Sequence, residues 1–485
     1  MKYDAFVGPS YESAAATADV EKTVNFYVEV QESPGATASR ALLPTPGVTE
    51  VGAAANGPGR GHLFIDGREF AVIGTSFYEI DNAGTLTSRG TVALDSNPAT
   101  ISSNGDGGGQ LFVTSGGNGY VYDLSTNTLT QIAALNSKAT MGDHLDGYFL
   151  VLDGDTSTLY ISNLLDGATW DTGVDFAQRS AAPDPWVAMV VAQSFVWLLG
   201  QLTSEVWYNS GASFPFAKHP SGLVQYGCAA AFSAEIVDQG LTWLSTASKG
   251  HYEVVRATGF SPESISTFPL ERQIGDYTVV ADAQADVYAE DGHTFYILTF
   301  PTENATHAWD IETKLWHDRG TWISASNVFA AWRARWHAFA FGEHRILDAE
   351  TGSVYRMSSD LSMDVDGREI RRLRRAPALQ KDNHLILFPG FELDIEPGLG
   401  TATGQGSSPV VMMRFSKDGG KTWSTERMRS MGKIGEYDKR VRWDRLGSAR
   451  RMVIEVSISD PVRSRITAAY FTPDPVVTAP AAGAA

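Results

Sequence analysis

The sequence predicts an all-β protein: a β-propeller of six or seven blades followed by a small antiparallel β-sandwich-like domain. Three observations carry this expectation. Tight-turn dipeptides are dense, short apolar runs alternate between them, and one strand–turn–strand phrase recurs along the chain.

Eight Asp-Gly pairs begin at Asp66, Asp106, Asp146, Asp153, Asp166, Asp291, Asp366 and Asp418, and three Asn-Gly pairs at Asn56, Asn104 and Asn118. Such pairs suit two-residue hairpins, where both central positions take positive φ. Between them lie short runs rich in Val, Ile, Leu and aromatics, which is strand chemistry. No sustained i, i+3, i+4 pattern marks a long amphipathic helix. The recurring phrase is an apolar strand, a turn, a second strand with an aromatic near its end, then Asp or Asn with Ser or Thr. Copies begin near His62, Gln110, Tyr148, Phe195, Leu241, Thr294 and Arg335. A period of roughly 45 residues with three to four strands is the mark of propeller blades, which bury their faces by stacking radially. The alternative is a pair of β-sandwiches with irregular strands.

Basic strand chemistry begins a second module at R-E-I-R-R-L-R-R-A-P (Arg368 to Pro377). It continues through His384 to Phe388, Val410 to Phe415, Arg451 to Ile458 and Ile466 to Phe471. The expected division is an N-terminal arm at 1–60, a propeller at 61–360, a basic antiparallel domain at 361–471, and a disordered tail at 472–485. The loop Pro397 to Pro409 is Gly/Ser-rich and expected to move.

Composition narrows the function classes. Of 485 residues, 43% are hydrophobic and 19% charged, which fits a folded chain and excludes pervasive disorder. The one cysteine, Cys228, excludes an internal disulfide framework and Cys-based zinc sites; it reads as a buried core residue. No apolar run reaches the ~18 residues of a membrane span. The longest, Trp186 to Gly200, reads as two buried strands. The opening M-K-Y-D-A-F-V-G-P-S lacks an apolar signal-peptide core, so folding in a reducing cytosol is expected. Net charge is −18 but uneven. Residues 361–471 hold 20 Lys and Arg against 14 Asp and Glu, a net of +6, and residues 1–360 a net of −23. The acidic part is unsuited to gripping nucleic acid, because phosphate binding depends on Lys and Arg releasing counterions.

The sharpest local motif is S-K-D-G-G-K-T-W, Ser416 to Trp423, which fits the Asp-box pattern of sialidases and other propellers. Ser416, Asp418, Gly420, Thr422 and Trp423 are expected to build a structural hairpin: Asp418 accepts backbone hydrogen bonds, Gly420 supplies an open φ, and Trp423 packs beneath. Asp153 to Ser157 resembles the first half of a calcium loop, but Thr158 and Leu164 stand where an EF-hand needs Gly and Glu, so a hairpin is expected. The arginines Arg368, Arg371, Arg372, Arg374 and Arg375 are costly to bury unpaired. Together with Arg440 and Arg442 they are the candidate subunit or partner interface, with nucleic-acid contact and a solvated edge strand as the alternatives. In the second basic segment Val441 and Trp443 alternate with Arg440, Arg442 and Asp444, the pattern of a half-buried strand. No zinc, nucleophile-elbow or phosphate-loop motif is present. No catalytic residue, metal ligand or cofactor is therefore assigned.

Two distant segments resemble a known family when taken together. They are V-N-F-Y-V-E (Val24 to Glu29) with A-L-L-P-T-P-G-V (Ala41 to Val48), and Ser416 to Ser424 with Met431 to Arg451. In order and spacing they resemble the tail-hub, or nozzle, proteins of short-tailed phages, also called packaged DNA stabilisation proteins. The resemblance implies a structural virion protein, made and assembled in the host cytoplasm. It implies a homohexameric ring below the portal and tail adaptor. Such a ring lines the DNA exit channel, retains packaged DNA with a plug or needle, and anchors tail fibres or spikes. Duplex DNA then passes without sequence-specific binding, and an acidic wall suits that passage. A head-to-tail ring needs two complementary patches per subunit, for which the +6 and −23 regions are candidates. The alternative reading is a propeller glycosidase or carbohydrate-binding propeller, which as an enzyme requires a pair of catalytic carboxylates.

Overall fold

A computed structural model describes residues 1–16, 18–33, 35–36, 38–55, 57–105, 107–179, 184–246, 250–471, 474 and 476–477. The chain divides into two compact units: 49–305 with 331–357, and 1–48 with 306–330 and 358–485.

The first unit is a propeller. Seven innermost strands succeed one another: Gly59–Ile65, Thr100–Ser103, Met141–Leu145, Trp186–Ala192, Glu235–Val237, Gln284–Glu290 and Ala334–Ala340. Each pairs antiparallel with the strand that follows it, and five of the sheets so begun run through four consecutive strands within the unit. Hairpin chemistry sets the register. Asp66–Gly67, Asp146–Gly147 and Asp291–Gly292 have φ of 51°/73°, 51°/84° and 53°/82° and join the first two strands of their sheets. Gln193–Ser194 and Phe341–Gly342 do the same at 53°/64° and 53°/81°. Positive φ at both central positions matches the strand twist. Asn118–Gly119 is instead the start of strand Asn118–Asp123, and the turn before it is Gly116–Gly117. Asn56 and Asp106 lie outside the described residues.

A second turn recurs where the middle strands reverse. Asp153 Oδ1 accepts from Asp155 N (3.1 Å) and Asp153 Oδ2 from Thr156 Oγ1 (2.7 Å). Asp348 repeats this with Glu350 N (2.9 Å) and Thr351 Oγ1 (2.8 Å), and Asp123 with Ser125 and Thr126. These side chains mimic a backbone turn, which explains the recurring Asp and Ser/Thr and disposes of the calcium-loop reading at Asp153.

Second strands are buried on both faces, as radial stacking demands: Phe70 to Ile73, Leu111 to Ser115 and Phe149 to Asp153 are all buried. Phe70, Phe77, Leu111 and Tyr122 fill the space between the first two sheets. Leu150, Trp186, Leu198 and Trp243 fill it between the third, fourth and fifth. Trp186–Ala192 and Phe195–Gly200 are the two buried strands expected there. Between the last sheet and the first, Leu347 and Val354 pack on Ala71 and Ile73. The segment after Val48 joins the last sheet as an outer strand. Ser353 Oγ donates to Glu50 Oε2 (2.9 Å) and Ala54 N to the Gly352 carbonyl (2.9 Å). Closure therefore joins distant parts of the chain. The one α-helix among the described residues is Phe268–Gly275.

The second unit is a β-sandwich. One sheet orders Phe26–Val30, Arg40–Pro44, Ile466–Phe471, Ile386–Ile395 and Val441–Ala449. The other carries Val20–Val24, Arg372–Arg375, Arg451–Ile458, Val410–Ser416 and Arg427–Ser430. Phe26, Phe391, Trp443, Met413, Ile454 and Phe471 form its core. The stretch expected as an N-terminal arm supplies strands to both sheets, because Val24, Phe26, Val28 and Leu42 are buried there. Of the tail, Val476–Val477 pairs with Ile386 and Leu387, while 478–485 lie outside the described residues. All of the net charge belongs to the propeller unit. It holds 31 Asp and Glu against 13 Lys and Arg, whereas the sandwich unit has 25 of each.

Candidate functional site

The propeller's axis is a cavity of about 560 Å³. All seven innermost strands reach it, through Gly61, Thr100, Met141, Met189, Glu235, Gln284 and Trp336 among others. Its titratable lining is His62, Asp143, Glu235, Asp286 and His337.

Two of these carboxylates staple neighbouring sheets. Asp143 Oδ2 accepts from Val191 N (2.7 Å) on the next innermost strand, and Oδ1 from His144 N (2.8 Å). Asp286 Oδ2 accepts from His337 N (2.8 Å) on the following sheet, and Oδ1 from Val287 N (2.9 Å). Burial lifts both carboxyls to about 6 against these hydrogen bonds. The neighbouring Ile236 amide favours the charged form of Glu235. Burial, then the charges of Asp286 and Asp143, lift it to about 8. His337 is pushed down to about 3 by burial, then by His344 and His62. Its Nδ1 donates to the Val287 carbonyl (3.1 Å), so its Nε2 accepts from His344 Nδ1 (2.9 Å).

His62 anchors the closing seam. Its Nδ1 lies 2.8 Å from the Trp336 carbonyl and its Nε2 2.9 Å from Glu69 Oε1. Arg345 reaches the other Glu69 oxygen at 3.2 Å, and also the carbonyls of Asp81 and Asn82. Trp336 has φ +53° at a register shift in its strand, a costly conformation for a bulky residue. Sequence reasoning missed this network because its members are remote in the chain, Glu69 and Arg345 being 276 positions apart.

The arginine strand divides by face. Arg374 is fully buried and donates to the Ala5, Phe6 and Pro9 carbonyls, to Thr23 Oγ1 and to Glu21. Arg372 is also buried, and burial lowers it to about 10, opposed by the charge of Asp364. Arg371 pairs with Glu426 (2.9 Å) and lies over Trp322. Arg375 pairs with Glu455 (2.8 Å) and Glu12 (3.1 Å). The more exposed members are Arg368 beside Asp366 (3.5 Å), Arg440 on Glu392 (2.5 Å) and Arg442 on Asp444 (2.8 Å).

In the Asp box, Asp418 Oδ1 accepts from Lys421 N (3.0 Å) and Thr422 N (2.9 Å), and Oδ2 from Thr422 Oγ1 (2.5 Å). Gly420 N donates to Ser416 Oγ (2.8 Å), with Gly420 at φ +94°. The Thr422 and Ser416 hydroxyls hold the Asp418 carboxyl well below the usual range. Trp423 lies beside the turn, its ring 3.9 Å from where a Cβ on Gly420 would stand. It lies between two guanidiniums, Arg414 at 4.7 Å and Arg375 at 5.1 Å, because Glu455 fixes both arginines beside it. Cys228 is buried and lifted to about 11 by its burial.

Among the described residues, no group of three His, Cys, Asp or Glu side chains is arranged to hold a metal ion. Among the same residues, no helix is long and apolar enough to cross a membrane.

Comparison with known proteins adds an independent view. The family model for the bacteriophage P22 Gp10 β-propeller matches residues 17–362, and that for the P22 Gp10 β-sandwich matches 371–472. The chain is 22% identical over 306 residues to the tail hub protein gp10 of Salmonella phage P22. That match covers 61% of this chain and 62% of the relative, so it spans less than two thirds of the relative's length. Among solved structures, PorZ of the Porphyromonas gingivalis type-IX secretion system overlays at TM-score 0.38 and 11% identity, over 79% of this chain and 46% of PorZ. The WD40 domain of Toxoplasma gondii coronin overlays at TM-score 0.38 and 8% identity, over 70% of this chain and 87% of that domain.

Proposed function

We infer the function of this chain from its family: it belongs to the bacteriophage P22 Gp10 family, with both the propeller and the sandwich of that family in order. Its role is that of a structural tail-hub protein in a phage virion, rather than an enzyme. The observation that carries this reading is the pair of consecutive family matches over 17–362 and 371–472, joined by the similarity to a tail hub protein.

On this reading the subunits form a ring below the portal and adaptor. The ring lines the DNA exit path, helps to retain the packaged genome, and carries plug and fibres or spikes. Charge supports the conduit role: a propeller unit of net −18 repels a polyanion and does not hold it. Each ring contact is heterologous, so a basic patch on one subunit has an acidic partner on the next. Arg368, Arg440 and Arg442 remain the sequence-chosen candidates for such a patch. Buried Arg372 and Arg374 serve the protomer itself.

Native mass spectrometry of the purified chain, alone and mixed with the portal–adaptor complex, tests this. A closed ring of six is expected, and a chain that stays monomeric in both samples overturns the ring.

A further inference from the structure

The segment that leads into the sandwich strand Val441–Ala449 carries an exposed surface. After buried Met431 and Gly432, all eight residues from Lys433 to Arg440 are exposed. Two of them are large and apolar: Ile434 is 63% exposed and Tyr437 71%. The loop is nevertheless tied down. Lys433 N donates to Glu436 Oε2 (3.0 Å), Glu436 N to the Lys433 carbonyl (2.9 Å), and Gly435 N to the Gly398 carbonyl (3.3 Å). The Tyr437 ring lies so close to Gly398 that a Cβ there would come within 2.7 Å of it, and Gly398 has φ +78°. Residues 397–406 and 431–440 therefore form one shaped surface with its aromatic already in place. Ordering cost on binding is correspondingly low.

The surroundings are basic. Residues 427–442 hold six Lys and Arg against Glu436 and Asp438, a net of +4. Exposed Ile434 and Tyr437 among these charged side chains, with Arg440 and Arg442 already paired to Glu392 and Asp444, match the anatomy of a protein interface, with apolar anchors and a polar surround.

We propose that this loop pair, centred on Ile434 and Tyr437, docks onto the acidic propeller unit of a second copy of the chain. The occupant follows from charge: the propeller unit carries the whole −18, while the sandwich unit is neutral overall and this loop is positive. Opposite charges steer the encounter and the apolar pair anchors it. The inference rests on the ring reading and names the surface that makes the ring.

The test is native mass spectrometry of the full chain across protomer concentration, for wild type, Ile434→Ser/Tyr437→Ser and Lys433→Glu/Lys439→Glu. All four positions are exposed, so unchanged circular dichroism and melting are expected, and they certify the fold. The serine pair is expected to raise the concentration for half-assembly about tenfold or more, the loss of one apolar hot spot. The charge reversal is expected to do the same at low salt and less at high salt. If wild type forms the ring and both variants form it equally well, the surface assignment falls and the ring stands. A wild type that never self-associates overturns both. Loss of duplex-DNA binding in the variants, with ring assembly intact, assigns the surface to DNA and overturns the proposal.

Discussion

His62 and Glu69 meet at 2.9 Å with neither side chain exposed, and the imidazole has an acceptor at each nitrogen. The Trp336 carbonyl can only accept, so Nδ1 donates to it while Nε2 faces Glu69. Arg345 shares the same carboxylate from the other side. One glutamate thus joins the first sheet of the propeller to the last, at the seam where a closed ring of sheets is open to separation.

Removing that shared acceptor is therefore expected to be costly. Glu69→Ala takes the buried carboxylate from Arg345 and leaves it the partly exposed Glu343 at 3.6 Å, so a loss of up to about 3–5 kcal/mol is expected. Urea denaturation of the full chain followed by tryptophan fluorescence measures it. Glu69→Gln, which keeps an acceptor oxygen, is expected to lose less. A loss below about 1 kcal/mol in Glu69→Ala would show that the seam does not depend on this residue.

The cavity carboxylates predict an inverted pH response. Glu235 is raised to about 8 in the folded protein, above its unfolded value, so the folded state binds more protons. Its stabilising contribution is full at low pH and is lost as pH rises through about 8. Asp143 and Asp286, raised to about 6, behave alike at lower pH. His337 runs the other way: depressed to about 3, it favours the fold above its unfolded value and loses that contribution as pH falls. Between pH 6.5 and 8 the Glu235 effect stands nearly alone. Wild type is expected to be more stable at pH 6.5 than at pH 8 by about 1–2 kcal/mol. Glu235→Gln is expected to remove that difference, and denaturation midpoints at the two pH values decide it.

Much of this fold was legible because its turns and strands are local. Asp66–Gly67, Asp146–Gly147 and Asp291–Gly292 set both the backbone sign and the register, and the buried pair of strands across Trp186 to Gly200 was readable from apolar run length. The pairings that close each unit were not legible, because they join residues hundreds of positions apart. Examples are Glu50 with Ser353, Val24 with Leu373, and Leu42 with Ile466. A run such as Val20–Val24 reads as a strand from its residues but carries no mark of its partner. The axial carboxylates were hidden for a related reason. Asp143 and Asp286 look like ordinary surface acids until the ring brings the Val191 and His337 amides against them.

The Trp423 stack predicts a stability effect with no catalytic counterpart. Arg375 and Arg414 lie over the ring while Glu455 binds both. Trp423→Ala removes two partly desolvated cation–π contacts, for an expected loss of about 1–3 kcal/mol. Trp423→Phe is expected to recover part of it. Hydrogen exchange at the Lys421 and Thr422 amides separates this from the Asp box proper. Those amides bond to Asp418, so Asp418→Ala is expected to expose them while Trp423→Ala leaves them protected.

The two arginine groups must respond differently to charge reversal. Arg374 has no exposed surface and satisfies three carbonyls of the first nine residues, so Arg374→Glu places an anion against acceptors. Insoluble or unfolded protein is expected, and loss of assembly in that variant would say nothing about an interface. Arg440 is 64% exposed at its side chain and pairs with Glu392, and a pair so open to solvent adds little to the protomer. Arg440→Glu is therefore expected to melt like wild type and yet to assemble more weakly, with the deficit growing as salt is lowered because like charges then repel over a longer distance. Sedimentation at two ionic strengths measures this. Equal assembly at both would exclude Arg440 from subunit contact.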